Sequence, residues 1–268
     1  MAPHLAIMRS IAPLLAFFGL ILTLESINSL TYAYVLGTGI GTIATILFLH
    51  AFWKHLLNGF SWSHAKTILT SAWPFALSSL LGSIMISTDI FILGFLRSAE
   101  EVGYYSVADR IMQILYAPSL ILATSTLLVF SRLAIQGGGN ATKMLRYIFK
   151  RIFVFLTPAS IVGITLAPVV IVYFFGADYE AAVMPLQILL LTLIFRHASV
   201  ILGNFVFAHN QQNLFISYTI LGVFLNISFD LLLIPRFGIV GSAWATLISQ
   251  VVISFYLWKK TKYLRQVS

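Results

Sequence analysis

The hydrophobic residues of this sequence form long continuous runs separated by short polar breaks. Each run approaches or exceeds the length needed to cross the roughly 30 Å hydrocarbon core of a bilayer. The eight runs fall at about residues 10–27, 30–52, 68–95, 107–133, 149–175, 183–207, 213–235 and 238–258. They do not alternate with a period of two, which favours helices over barrel strands. The pattern therefore predicts an all-α membrane protein with about eight transmembrane helices.

Composition supports this class and narrows the chemistry. Hydrophobic residues make up 59% of the chain and charged residues 9%, and the mean hydropathy is +0.95. A soluble domain has roughly 25% charged residues. The chain has no cysteine, and its six histidines lack metal-ligand spacing, so we expect no metal and no cofactor. No catalytic constellation is evident, and we expect a protein that is not an enzyme.

The charged residues sort by loop, so the net charge of +8 indicates membrane topology and no nucleic-acid partner. One set of loops carries 12 of the 16 Lys and Arg residues, namely Arg9, Lys54, Lys66, Arg132, Lys143, Arg146, Lys150, Arg151, Lys259, Lys260, Lys262 and Arg265. The other loops carry Arg97, Arg110 and Arg236 with most of the acidic residues. Because Lys and Arg are enriched in cytoplasmic loops, we expect both termini to be cytoplasmic.

Two carboxylates, Asp89 and Asp230, lie inside predicted spans. A charged residue within a transmembrane helix costs about 2.5–3.5 kcal/mol on insertion scales, so it usually faces the bundle interior and has a partner or a ligand. One interpretation is an ion pair with Arg97 or Arg110 that fixes helix contacts. The other is a carboxylate that responds to protons or sodium ions and couples their movement to transport.

Arg196 lies close to the middle of the predicted span 183–207. Its planar guanidinium fork suits phosphate oxygens. One interpretation is therefore that Arg196 faces a hydrated cavity and meets an anionic substrate. The alternative is that it binds backbone carbonyls or an aspartate on a neighbouring helix.

Two segments carry a family resemblance. Residues 87–111 read STDIFILGFLRSAEEVGYYSVADRI and precede a proline-containing helix that ends in a basic residue. Residues 226–249 read NISFDLLLIPRFGIVGSAWATLIS. Over about residues 66–258 the sequence resembles the polysaccharide-biosynthesis flippases of the multidrug/oligosaccharidyl-lipid/polysaccharide exporter superfamily.

The resemblance implies a transporter of two six-helix lobes around a cavity that opens alternately to the two faces of the bacterial inner membrane. The implied substrates are undecaprenyl-pyrophosphate-linked oligosaccharide repeat units, which move from the cytoplasmic to the periplasmic leaflet. It also implies a cationic cavity for the pyrophosphate, for which Arg196 and Arg110 are candidates. Asn204 and Asn226 are further cavity candidates. The expected partners are the lipid-linked oligosaccharide and membrane lipids.

The sequence departs from this family in its extent. Residues 61–268 resemble one six-helix carboxyl-terminal lobe with a basic tail, and residues 1–60 resemble the last two helices of the other lobe. Four helices of a complete transporter are then missing, so we expect a truncated product or a chain that pairs with a partner chain supplying them. The alternative functions are a cation-coupled multidrug exporter or a lipid II flippase of the same superfamily, and a nonfunctional fragment.

Overall fold

The computed structural model describes residues 35–43, 45–47 and 61–267. These residues are almost entirely helical and include no β-strand. The chain divides into two compact units, Met1–Ser71 and Ala72–Ser268. In the first unit, residues 35–43 and 45–47 are helical, whereas the predicted span 10–27 and the rest of 30–52 lie outside the described residues. The assignment of residues 1–60 to another lobe stays a prediction.

The described helices agree with the predicted spans from residue 68 onward. They are α1 (Trp62–Leu96), α2 (Ala99–Gln136), α3 (Asn140–Phe175), a 3₁₀ helix (Ala177–Ala182), α4 (Val183–Ala208), α5 (Gln212–Lys260) and the short α6 (Leu264–Val267). By length and composition, α2, α3, α5 and the stretch Ala177–Ala208 can each cross a membrane. The prediction of an all-α, multi-pass membrane protein is confirmed.

Helix α4 lies at the centre of the second unit. In its most apolar window 67% of the residues are buried, compared with 17–28% in the windows of α2, α3 and α5. Many large apolar side chains of the other helices remain exposed, including Phe95, Ile114 and Tyr173. Such outward apolar faces fit a lipid surrounding, and the central position of α4 places its polar side chains among protein groups.

Helix α5 consists of two helical segments joined at Gly238. The backbone there adopts φ 59° and ψ −138°, a left-handed conformation that favours glycine. Pro235, one turn earlier, lacks the amide donor that a continuous helix needs. Gly241 follows the break closely enough that a Cβ would overlap the Leu233 carbonyl. The break therefore falls between the two spans predicted at 213–235 and 238–258.

Arg97, in the turn between α1 and α2, binds the backbone at this break. Its Nε and Nη2 donate to the carbonyl of Ile234 at 3.2 and 2.6 Å, and Nη2 also donates to the carbonyl of Pro235 at 3.1 Å. The last four carbonyls of a helical segment have no intrahelical partner. Arg97 therefore caps the first segment of α5, and Glu101 lies 3.6 Å from its Nε.

One end of the second unit collects cations. We call this surface the basic end; it consists of Arg132, Lys143, Arg146, Lys150, Arg151, Lys259, Lys260, Lys262 and Arg265. No acidic residue occurs in residues 111–177 or 231–268. The N-terminus of α3 meets α6 here, because Thr142 donates to the carbonyl of Arg265 at 3.2 Å.

Candidate functional site

A cavity of about 370 Å³ lies in the second unit. It is lined by side chains of α1, α2, α4 and α5, and those that carry charge or an amide are Asp89, Asp109, Gln113, Arg196, Asn226 and Gln250. Pockets with a few convergent polar groups among apolar walls are typical of binding sites. The fold thus brings residues that are distant in sequence, from Asp89 to Gln250, to one cavity.

Asp89 of α1 is 8% exposed and forms the polar junction of three helices. Its Oδ2 accepts hydrogen bonds from the hydroxyls of Tyr105 on α2 and Thr246 on α5, both at 2.6 Å. Hydrogen bonds to a carboxylate are shorter and stronger than those between neutral groups. Asp89 therefore fixes the positions of α1, α2 and the second segment of α5 relative to one another.

Asp230, on the first segment of α5, lies near Asp89, within electrostatic range of its carboxylate. It is fully buried, and its Oδ1 accepts from the hydroxyl of Ser242 at 3.3 Å. Among the described residues, Asp89 Oδ1 and Asp230 Oδ2 have no hydrogen-bond donor. Asn226, one turn before Asp230, lines the same cavity as Asp89. Two adjacent buried carboxylates repel each other unless a proton or a cation compensates one charge.

The ion pairs of Asp89 or Asp230 with Arg97 or Arg110, which the sequence left open, are wrong. Within residues 61–267, the only ion pair joins Arg97 to Glu101. Arg110 is exposed and donates to Gln113 Oε1 at 3.3 Å. It lies about 200° around α2 from the buried Ala108, at 100° per residue, so it faces away from the helices that hold the carboxylates. Arg110 also does not line the cavity.

Arg196 of α4 lines the cavity as the first of its two interpretations requires. Its guanidinium carbon lies 4.5 Å from the ring centroid of Tyr116, within the range of a cation–π interaction. Tyr116 is held in place by a 2.6 Å hydrogen bond with Thr192. In the described part of the chain, Arg196 has neither an ion pair nor a hydrogen-bond acceptor. Its role in substrate binding stays a prediction.

The two asparagine candidates differ in position. Asn226 lines the cavity. Asn204 does not, because its amide nitrogen donates to the Ala123 carbonyl and the Thr126 hydroxyl, both at 2.7 Å. These bonds join α4 to α2, so Asn204 contributes to helix packing and does not line this cavity. Its role in substrate binding stays a prediction.

Several cavity residues were not identified from the sequence. Tyr105, Tyr116 and Thr246 contribute the hydroxyl and aromatic contacts described above, and Asp109 faces the cavity within electrostatic range of Arg196. Asn226 and Asp230, which the sequence did identify, lie four residues apart on one helix face, but no comparable spacing marks the missed residues. The tyrosines carry no such signal, since aromatic residues are frequent throughout membrane helices.

Comparison with known proteins identifies relatives of this chain. It is 26% identical over 199 residues to the probable low-salt glycan biosynthesis flippase Agl15 of Haloferax volcanii, covering 72% of this chain and 41% of Agl15. It is 27% identical over 202 residues to the capsular polysaccharide biosynthesis protein CapF of Staphylococcus aureus, covering 73% of this chain and 50% of CapF. The chain thus spans about half the length of these curated relatives.

The fold is also similar to that of a solved transporter. The inward closed structure of the lipid II flippase MurJ superposes with a TM-score of 0.74 and 20% identity, covering 95% of this chain and 54% of MurJ. The polysaccharide biosynthesis protein family matches residues 4–184, more than half of the sequence. The chain therefore belongs to the polysaccharide biosynthesis protein family and has the fold of the multidrug/oligosaccharidyl-lipid/polysaccharide exporter superfamily.

Proposed function

We propose that this chain takes part in flipping undecaprenyl-pyrophosphate-linked oligosaccharide repeat units across the bacterial inner membrane, with both termini in the cytoplasm. Family membership and the names of Agl15 and CapF support the substrate class. The excess of cations at the basic end supports the orientation, since cytoplasmic loops are enriched in Lys and Arg.

The observation that carries the proposal is that Arg196 lines the cavity and has no anionic partner among the described residues. Tyr116 contacts the guanidinium through its ring, and the N–H donors of a guanidinium lie in its plane. A ring contact supplies no acceptor oxygen, so the N–H donors stay available to an anionic ligand. Pyrophosphate oxygens accept such paired donors with good geometry. Arg196 would hold the anionic group of the lipid-linked sugar at this position.

The carboxylates supply a second function, coupling to a proton or a sodium ion. Asp89 and Asp230 lie within electrostatic range of each other, and each retains a buried oxygen without a donor among the described residues. Carboxylate, amide and hydroxyl oxygens from Asp89, Asp230, Asn226 and Thr246 are hard ligands that suit such a cation. Because Asp89 also binds Tyr105 and Thr246, a change in its charge would alter contacts among three helices that line the cavity.

We further propose that a second six-helix lobe, from another segment or a partner chain, completes the enclosure of the cavity. The greater length of Agl15 and CapF supports this arrangement. In two-lobe transporters, alternating access arises when one lobe rocks against the other around a site between them. The second lobe would provide the opposite wall of the substrate path.

A second candidate is a cation-coupled multidrug exporter, which the presence of both Asp89 and Asp109 in the cavity favours. Carboxylates would attract cationic drugs, whereas Arg196 would repel them. The two candidates therefore predict opposite effects of removing the Arg196 charge.

The test replaces the chromosomal copy with Arg196→Ala in the native host and measures lipid-linked oligosaccharide in the periplasmic leaflet. We expect a loss of about 10-fold or more, from removal of a charge-assisted pair. Arg196→Lys should retain part of the delivery, and Arg110→Ala is the matched control because Arg110 lies outside the cavity. Undiminished delivery by Arg196→Ala would refute the proposal, and increased drug resistance in that variant would favour the exporter.

A further inference from the structure

A second concavity lies between α3, α4 and α5. It is a groove of about 270 Å³ whose walls include Phe149, Phe153, Phe255 and Trp258 and whose floor includes Ala198 and Leu202. It shares no lining residue with the cavity of Arg196. The hydroxyl of Ser254 reaches the groove but is already bonded to Ser199 at 2.8 Å. The groove therefore offers an apolar surface to its occupant.

The shape of the groove comes from aromatic residues at helical spacing. Phe149 and Phe153 occupy one face of α3, four residues apart, and the Phe149 ring lies 5.2 Å from the ring of Trp258. Phe153 and Phe255 remain 46% and 57% exposed, so the groove is open along one side. An apolar, open groove in a membrane protein suits a hydrocarbon chain of a lipid.

Two guanidiniums lie near the Trp258 end of this groove. Arg265 lies 3.7 Å from the ring centroid of Trp258 and donates to its carbonyl at 2.7 Å. Arg146 lies three residues before Phe149, on the same helix face one turn closer to the basic end. Burial lowers the pKa of Arg265, and the nearby charge of Arg146 lowers it further. The two cations are therefore close enough to repel each other.

No acidic side chain compensates this pair. The basic end has no acidic residue in its sequence segments, and the described residues form no ion pair there. Two like charges held together without an anionic partner are stabilised when an anion binds between them. Basic pockets between transmembrane helices are known positions for the phosphates of lipid headgroups.

We propose that the groove and the Arg146–Arg265 pair form one binding site for an anionic phospholipid. An acyl chain occupies the groove along Phe149 and Phe153, and the headgroup phosphate binds between the two guanidiniums. The site is separate from the cavity of Arg196 and lies on the opposite side of α4, where Phe195 and Ala198 alternate with the cavity residues Arg196 and Val200. The lipid would stabilise the junction of α3 and α5.

The test uses the full chain purified in detergent, with phosphatidylglycerol and phosphatidylcholine of identical acyl chains as probes. Native mass spectrometry measures the affinity of each lipid. We expect phosphatidylglycerol to bind about 10-fold more tightly, because basic residues near an anionic headgroup favour it. This comparison needs no variant and therefore does not depend on the folding of any substituted protein.

Two variants with matched controls separate the contribution of the lipid headgroup to binding from that of the acyl chain. Arg146→Gln should weaken phosphatidylglycerol binding about 5-fold and phosphatidylcholine binding less, because the choline cation offsets the charge of its phosphate. The control Arg151→Gln replaces an exposed cation about 140° around α3 from Arg146, at 100° per residue, and should change neither affinity. Phe153→Ala should weaken both lipids, whereas Phe155→Ala, which removes an exposed ring outside the groove, should not.

Three results would overturn the proposal. Equal affinities of the two lipids would exclude headgroup recognition. Sensitivity to Arg146→Gln without sensitivity to Phe153→Ala would mean that the cations bind phosphate alone. A dimer that dissociates on Phe153→Ala would assign the groove to a second copy of the chain.

Discussion

Arg97→Gln tests whether the contact between the α1–α2 turn and the break in α5 stabilises the second unit. The variant removes three hydrogen bonds, at 2.6, 3.1 and 3.2 Å, to the carbonyls of Ile234 and Pro235. A hydrogen bond involving a charged group contributes a net 1.5–3 kcal/mol, roughly. Because the Arg97 side chain is 26% exposed and the three bonds share one group, we expect a loss of about 2 kcal/mol.

This free energy corresponds to a measurable shift in thermal unfolding. A change of 1 kcal/mol lowers Tm by about 2–4 °C in a domain of this size, so Arg97→Gln should lower it by about 4–8 °C. The assay is tryptophan fluorescence of the purified chain in detergent. Arg236→Gln is the matched control, because Arg236 is an exposed cation beside the same break. Equal Tm values for the two variants would refute the stabilising role of Arg97.

Three further predictions follow from the cavity and the break. Gly241→Ala should destabilise the chain by about 1–3 kcal/mol, because the new methyl group meets the backbone carbonyl of Leu233; an unchanged Tm would contradict this. Asp230→Asn should leave Tm unchanged or raised, since it removes repulsion with Asp89, while abolishing cation-dependent transport in vesicles; a Tm loss comparable to that of Gly241→Ala would show that the buried charge is stabilising. Tyr116→Leu should weaken binding of pyrophosphate-linked substrate about 3-fold through loss of the cation–π contact, and Tyr116→Phe should retain it, as titration of the purified protein would measure.

The helices could be predicted from the sequence because their limits depend on local chemistry. A run such as 149–175 contains too many apolar residues for a soluble loop, and the polar turn 97–103 ends one hydrophobic run before another begins. The two spans on either side of Gly238 were likewise predicted, since Pro235 and Gly238 interrupt a helix through their own backbone properties. These features require no knowledge of neighbouring helices.

The candidate site was only partly predictable because it depends on the rotation of each helix. Asp89 and Asp230 were identified by the cost of a charge in a membrane span, but their proximity brings together segments that are far apart in the chain. Arg110 and Asn204 were assigned to the cavity from residue type, and the structure places both elsewhere. The direction in which these side chains face depends on the packing of α2 against α4, which hydropathy does not report.

The left-handed backbone at Gly238 is a hinge point between the two helical segments of α5. Asp230 lies on the first segment, within electrostatic range of Asp89, and Thr246 lies on the second segment and donates a hydrogen bond to Asp89. We therefore expect protonation or deprotonation of Asp89 to change the angle between the two segments. Since the native sequence has no cysteine, thiol spin labels at the exposed positions Phe224 and Val252 would report that angle as an interlabel distance without any background substitution.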